Sequence, residues 1–354
     1  MTRRRKLAFA SIAITLTLIT SVGLLLVADL LLHRRAERSA GLNRWGYRGP
    51  VAGNKQPREL RVAMLGGSTV FGYGLFWDQA IPALLERELA QRDPSRPVSV
   101  VNLGYNNEGA FALRPTLEDF AYLDPDVVCL YVGYNDWWGD EGPNTAVYRH
   151  ESPVFRATGY FPILPLMLKE KAVAIRSGNN LVAATQVEGT GMGSPVVFKV
   201  GPVDRASAAA LEAAHAVSDA MASQLNRMSP APAPITTPTG TRCAAPWVRF
   251  CDSVYRAIGY SLAQGQKVVV VAPPLMTDKS TARHLDQQRA LAGMVAAKFG
   301  GNLAVRWVDL SRAVDLADKT LSFDTMHLDV RGNEIVADAL VQPVLDLAGQ
   351  APPR

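Results

Sequence analysis

Five short runs of apolar residues constrain the fold more than any other feature of the chain: 60–66 (LRVAMLG), 98–103 (VSVVNL), 126–132 (DVVCLYV), 267–273 (KVVVVAP) and 304–310 (AVRWVDL). A strand with one wet face alternates apolar and polar side chains, whereas a strand covered on both faces reads as a continuous β-branched run. These runs are of the second kind. Between and after them lie helical stretches at 78–91, 114–122, 280–299 and 330–348, the last with Asp329 as its N-cap. Alternating strands and helices imply crossovers that keep neighbouring strands parallel. The expected fold is therefore α/β, three layers deep, with a five-stranded parallel sheet between two layers of helices.

The 354 residues suffice to bury a full core, and a content of 48% hydrophobic and 19% charged residues excludes a disordered polypeptide. From Leu7 to Ala28 the chain runs 22 residues without a charge, after the basic run Arg3 to Lys6. About 20 apolar residues cross a hydrocarbon core as a helix, whereas a cleaved signal peptide has an apolar core of about 7–15 that ends in small residues. Here Asp29, further leucines and His33-Arg34-Arg35 follow, so the segment reads as an uncleaved signal anchor. Arginines flank both of its ends, and an inside N-terminus is the orientation adopted. Residues 1–38 are thus expected to form a cytoplasmic tip and one transmembrane helix of the inner membrane, with 39–354 as a domain on the periplasmic side. The seven Arg and Lys of residues 1–38, set against Asp29 and Glu37, account for the whole formal charge of +5. Beyond residue 38 the chain is formally neutral, which removes the electrostatic ground for nucleic-acid binding.

The interval 141–246 breaks the alternation. It holds an apolar stretch with two prolines (FPILPLMLKEKAVAI), an Ala-rich helix around 203–228 and the run SPAPAPITTPTG at 229–240. Nothing in it reads as a strand of the sheet, so it is expected to be an insertion between the third and fourth strands. Residues 229–240 read as a solvated linker, and 160–176 as a segment lying on the membrane surface or over the site. Of the three cysteines, Cys129 falls in a core strand. Cys243 and Cys251, eight residues apart, either close a small disulfide outside the cytosol or stay unpaired.

The residues with chemistry in them gather at strand ends. The stretch Arg61 to Gly74 (RVAMLGGSTVFGYG) reads as a buried strand running into a tight turn, which puts Ser68 at the carboxyl rim of the sheet, where ligands bind in open parallel sheets. A serine nucleophile needs a base, and the base needs a partner to fix its tautomer. Of the five histidines, His33 flanks the anchor, His150 falls in the inserted interval, and His215 and His284 sit in helical stretches. His327 differs: it follows Asp324 by three residues on a loop between the fifth strand and the last helix, so the carboxylate can reach Nδ1 while Nε2 faces the serine. An acyl-transfer site also needs donors for the developing oxyanion. The third strand ends in Gly133-Tyr134-Asn135-Asp136, which brings an amide to the same rim, and the second ends in the turn Asn102 to Gly109, rich in residues that tolerate positive φ.

These blocks, in this order, resemble the SGNH, or GDSL-like, hydrolase family. Gly66-Gly67-Ser68-Thr69 matches the first block, with glycine where the family usually has aspartate. Gly133-Tyr134-Asn135-Asp136 matches the Gly-x-Asn-Asp block, Asp324 and His327 match Asp-x-x-His, and Leu328 to Asn333 continues in the family's manner. The resemblance covers roughly 43–140 and 246–345. It implies a flavodoxin-like sheet with Ser68, His327 and Asp324 as the catalytic residues, and an oxyanion hole made by the Ser68 amide, the Asn135 side chain and one amide of the second block. Counting along that block gives either Asn107 or Gly109; Gly109 is the assignment adopted.

The expected function is a membrane-anchored serine esterase acting on an ester, with no cofactor and no metal, since no Cys, His, Asp or Glu group has ligand spacing. Trp137 and Trp138 can stack on a sugar, which suggests O-acyl groups of a cell-envelope glycan, or pack beneath the insertion. A lipid acyl ester, O-acyl transfer by the same residues, and a non-catalytic anchored binding protein are the alternatives.

Overall fold

A computed structural model describes residues 2–39, 41–137, 139–141, 152–165, 243–277 and 280–349. Five strands form one sheet: β1 (Leu60–Gly66), β2 (Val98–Asn102), β3 (Val127–Tyr131), β4 (Lys267–Ala272) and β5 (Val305–Asp309), in the order β2-β1-β3-β4-β5. All four pairings are parallel, and the register sets Met64 beside both Asn102 and Cys129, and Gly66 beside Tyr131. The chain order reverses between β1 and β3, so loops leaving their carboxyl ends diverge and open a crevice there.

Side chains alternate along each strand between two buried layers. Val62 and Met64 pack with Ile81, Leu85 and Leu89 of α3 (Ile81–Arg92) and with Val336, Leu340 and Val344 of α8 (Val330–Gly349). Ala63 and Leu65 pack on the other face, in a cluster with Leu113 and Leu117 of α4 (Leu113–Asp119), Val254 and Ile258 of α6 (Val248–Ala263), and Leu291 and Val295 of α7 (Thr281–Phe299). Burial on both faces is why β1, β3 and β4 read as unbroken apolar runs, whereas β5, at the edge of the sheet, is only partly buried and carries the exposed Arg306 and Asp309. Asp329 caps α8 as its position suggested: its carboxylate accepts the Gly332 N–H at 2.8 Å.

Helix α6 is an element that pattern reading did not find. Its buried residues Phe250, Cys251, Val254, Ala257 and Ile258 recur at helical spacing, so the signal was present. Its Cys251 forms a disulfide with Cys243, just upstream, which resolves the alternative left open above; Cys129 is a buried free thiol.

The interval 141–246 does not stand wholly apart from the fold. A short helix, α5 (Pro153–Thr158), capped by the Ser152 hydroxyl, and the extended chain after it send Phe155, Phe161 and Ile163 into the same buried cluster as Leu65 and Leu130. The Ala-rich stretch 203–228, the run 229–240, residues 166–176 and Trp138 lie outside the described residues, as do His150 and His215.

Helix α1 (Arg3–Ser39) is long and apolar enough to cross a membrane, and its side chains from Leu7 to Val27 are uncovered. Its last turns are not. Asp29 and His33 are buried against residues 160–164: Asp29 accepts the Leu164 N–H at 2.6 Å and the Tyr160 hydroxyl, and His33 Nε2 donates to the Phe161 carbonyl at 2.6 Å.

Candidate active site

Strand β1 ends at Gly66, and one turn of helix, α2 (Ser68–Phe71), follows it directly. Gly67 stands where the family usually has aspartate, and the packing accounts for the change. A Cβ at Gly67 would lie 2.2 Å from the Asn135 amide nitrogen and 3.0 Å from the Glu108 carbonyl oxygen, so the side chain is given up for close approach of three loops. Gly66 is equally tight, since its Cβ would meet the Tyr131 carbonyl at 2.6 Å.

Ser68 Oγ lies 2.8 Å from His327 Nε2, and His327 Nδ1 lies 2.7 Å from Asp324 Oδ2. A carboxylate can only accept, so Nδ1 carries the proton and Nε2 presents its lone pair to the serine hydroxyl. Ser68 and His327 are buried, whereas the Asp324 carboxylate is half exposed. The loop is held by its own hydrogen bonds. Asp324 Oδ1 accepts the main-chain N–H groups of Met326 at 2.8 Å and His327 at 2.5 Å, and the Ser322 hydroxyl donates to the His327 carbonyl at 2.8 Å. Burial pushes the Asp324 carboxyl up, but the bonds from the His327 ring and main chain outweigh it and hold its pKa below the ordinary carboxylate value.

Asn135 sits on the turn after β3, and its Nδ2 donates one hydrogen to the Glu108 carbonyl at 2.8 Å. Ser68, Gly109 and Asn135 line one recess, and Asn107 lies in the left-handed region at φ 63°. Among the described residues no acceptor takes the main-chain N–H of Ser68 or of Gly109.

Three features of the site escaped sequence reasoning. Both oxygens of Asp136 accept the Ala110 N–H, at 2.9 and 3.0 Å, and a Cβ on Gly109 would strike Oδ1 at 2.6 Å, so this carboxyl shapes the 108–110 turn. Burial pushes its pKa up to about 7, against the Ala110 hydrogen bond and the charge of Arg249. Two rings flank His327: Tyr73 at 4.8 Å between centroids, and the exposed Phe323, parallel to the imidazole within 6°, at 5.8 Å. Behind the 133–136 turn, His284 is fully buried with its ring 5.1 Å from Tyr134, and Nδ1 accepts the Met276 N–H at 3.3 Å. Trp137 is partly exposed, and its carbonyl accepts from Arg283 Nε at 2.6 Å. Among the described residues no cluster of His, Cys, Asp or Glu is placed to hold a metal ion.

The parallel sheet thus brings a serine, an imidazole and a carboxylate into one hydrogen-bonded line at its carboxyl edge, the arrangement that a serine nucleophile requires. The chain belongs to the GDSL-like lipase/acylhydrolase family, whose match spans residues 64–335, and it is an ester-hydrolysing enzyme. Its fold is similar to that of an α/β hydrolase from the metagenome of Lake Arreo, Spain, at 17% identity over 81% of this chain and 95% of the other, with a TM-score of 0.42. An acetylxylan esterase from Geobacillus stearothermophilus is similar at 14% identity over 80% of this chain and 93% of the other, TM-score 0.41. Another acetyl xylan esterase aligns at 14% identity over 80% and 99%, TM-score 0.43. No curated protein shows a significant match to the chain.

Proposed function

We propose that the protein is a membrane-anchored serine esterase that hydrolyses an ester by an acyl-enzyme route. Ser68 Oγ attacks the ester carbonyl while His327 Nε2 takes its proton. His327 then returns the proton to the leaving alcohol oxygen, and water, deprotonated by the same imidazole, releases the acid and restores the serine. Asp324 orients the ring and stabilises the imidazolium. The amides of Ser68 and Gly109 and the free hydrogen of Asn135 Nδ2 receive the oxyanion. The observation that carries this reading is the unbroken line from Ser68 Oγ through His327 to Asp324, with contacts of 2.8 and 2.7 Å. In support, Ser68, Gly109 and Asn135 line one recess, whose walls include Gly66, Gly67, Leu113, Tyr131 and Tyr134.

The alcohol is proposed to be a glycan hydroxyl of the cell envelope. The exposed Phe323 ring beside the base offers an apolar face to a sugar, a role considered above for Trp137 and Trp138. Anchoring by α1 in the inner membrane would hold the domain on the periplasmic side. The buried contacts of Asp29 and His33 with residues 160–164 support retention of the end of α1, because a cut after His33 would strip these partners away. In the test, Ser68→Ala abolishes release of p-nitrophenol from its acetate ester, and labelling by a fluorophosphonate, while thermal unfolding is unchanged. Turnover retained in Ser68→Ala refutes the mechanism. Acetate release from O-acetylated oligosaccharides, compared with hydrolysis of long-chain esters, separates a glycan from a lipid substrate.

A further inference from the structure

The nucleophile stands on a helix of only four residues, Ser68–Phe71. One turn has no cooperative stability of its own, so the carbonyls at its carboxyl end must be satisfied from outside. Gly72, at φ 82°, turns the chain back and returns its N–H to the Ser68 carbonyl at 2.9 Å. That leaves the carbonyls that point away from the site. Asn102 Nδ2 donates to the Val70 carbonyl at 2.9 Å. The next ones meet at a single side chain: Arg48 Nη1 donates to the carbonyls of Phe71, which Asn102 Nδ2 also approaches at 3.4 Å, and, at 2.6 Å, of Gly72, which also accepts the Leu75 N–H at 3.1 Å, while Nη2 donates to the Leu75 carbonyl at 2.5 Å.

Arg48 is 4% exposed, and its guanidinium carbon lies 4.4 Å from the centroid of the Phe71 ring. Its own main chain is fixed by a bond from its N–H to the Asn102 carbonyl, at 3.1 Å. Burial lowers its pKa to about 10, with Asp78 acting in the opposite direction, so the charge is kept at neutral pH. A planar fork is required here, because the two nitrogens serve acceptors on either side of Tyr73 and Gly74; an ammonium is a point donor and reaches one group of them. The loop so held is the one that lays Tyr73 against the His327 imidazole, at 4.8 Å. One cation thus grips both the turn that carries the nucleophile and the ring that backs the base.

We infer that Arg48 is a positioning residue of the hydrolysis, holding Ser68 Oγ and the Tyr73 wall in the geometry that His327 needs. This role rests on Ser68 being the nucleophile. The full chain in detergent micelles is assayed with p-nitrophenyl acetate and with a fluorophosphonate probe. Arg48→Lys and Arg48→Ala lower kcat and the rate of Ser68 labelling together, by about 10- to 100-fold, while KM stays within about twofold. Methylguanidinium restores at least about fivefold of the lost kcat to Arg48→Ala, and has no such effect on Asp324→Ala or on the wild type. A merely structural cation would lower the unfolding temperature without this split or this rescue. Should Arg48→Ala fail to fold, Arg48→Lys and Arg48→Gln carry the test. Folded Arg48 variants with wild-type kcat and labelling rate overturn the role, and so does a fall in kcat that methylguanidinium does not relieve. A wild-type chain that the probe does not label at Ser68 overturns the nucleophile reading itself and the Arg48 role with it, and is told apart by that unlabelled wild type.

Discussion

At the scale of single residues, the site is set by which polar atoms are left over after neighbouring groups have been satisfied. Asp324 spends one oxygen on main-chain N–H groups and the other on the His327 ring, so the loop and the imidazole are fixed by one side chain. Asp136 does the corresponding work for the 108–110 turn, but in surroundings that disfavour its charge, with its pKa pushed up to about 7. The sign of the consequence follows from linkage. Between the ordinary carboxylate value near 4 and about 7, the unfolded chain has lost this proton and the folded chain has kept it, so stability falls as pH rises through that window. Asp136→Asn keeps an acceptor for the Ala110 N–H without the titration. The unfolding temperature of the wild type is expected to decline from pH 4.5 to pH 7.5 more steeply than that of Asp136→Asn, as read by circular dichroism; parallel curves would show that the carboxyl ionises freely in the fold. Ser68, Asn135, Asp324 and His327 were legible in the sequence because each lies within a few residues of a strand end or of another member. Arg48 was not, since its acceptors lie 23 to 27 residues further on and are main-chain atoms, which leave no mark in residue type.

At the scale of elements, the five strands were legible to within a residue or two: burial on both faces writes β1, β3 and β4 as unbroken apolar runs, and the partly buried edge strand β5 keeps enough valine and tryptophan to be read despite its exposed Arg306 and Asp309. Helix α6 was not, although its spacing is helical, because it begins directly after a proline-rich interval with no local N-cap. The cap comes from elsewhere: the Asp140 carboxylate, on the turn beyond β3, accepts the Arg249 N–H at 2.7 Å. Just upstream, Trp247 is buried and donates Nε1 to Asp286 of α7 at 2.7 Å, and the disulfide from Cys243 to Cys251 closes the loop that holds it. The two cysteines are eight positions apart, and closing so short a loop restricts the unfolded chain by about 2–3 kcal/mol. Replacing both by serine is expected to lower the unfolding temperature by about 5 °C or more. The Ser68 site lies on other loops, so the rate of p-nitrophenyl acetate hydrolysis well below the transition should be unchanged. Equal unfolding temperatures for the double serine variant and the oxidised wild type would mean that the loop is already held by Trp247 and Asp140.

At the scale of the whole molecule, the apolar helix and the domain were legible as two separate things, and the joint between them was not. The joint pairs residues 128 to 135 positions apart: His33 with Phe161, and Asp29 with Tyr160 and Leu164. A carboxylate at the end of an apolar helix reads in isolation as a flank of the membrane span, yet Asp29 is 4% exposed and serves as acceptor for two donors of the domain. Removing it leaves the half-buried Leu164 N–H and Tyr160 hydroxyl without that acceptor, at a cost of about 1 kcal/mol each, the low end for groups that keep some access to water. The same change does not touch the Ser68 loops. In Asp29→Ala the end of α1 should therefore part from residues 160–164 while the active site stays intact. The expected readout is faster tryptic cleavage at Arg38 and Arg44 of the full chain in nanodiscs, with wild-type hydrolysis of p-nitrophenyl acetate. Cleavage at the wild-type rate would mean that the contact of His33 with Phe161 alone holds the joint. Loss of hydrolysis without faster cleavage would mean that the helix end bears on the catalytic loops through contacts other than this one.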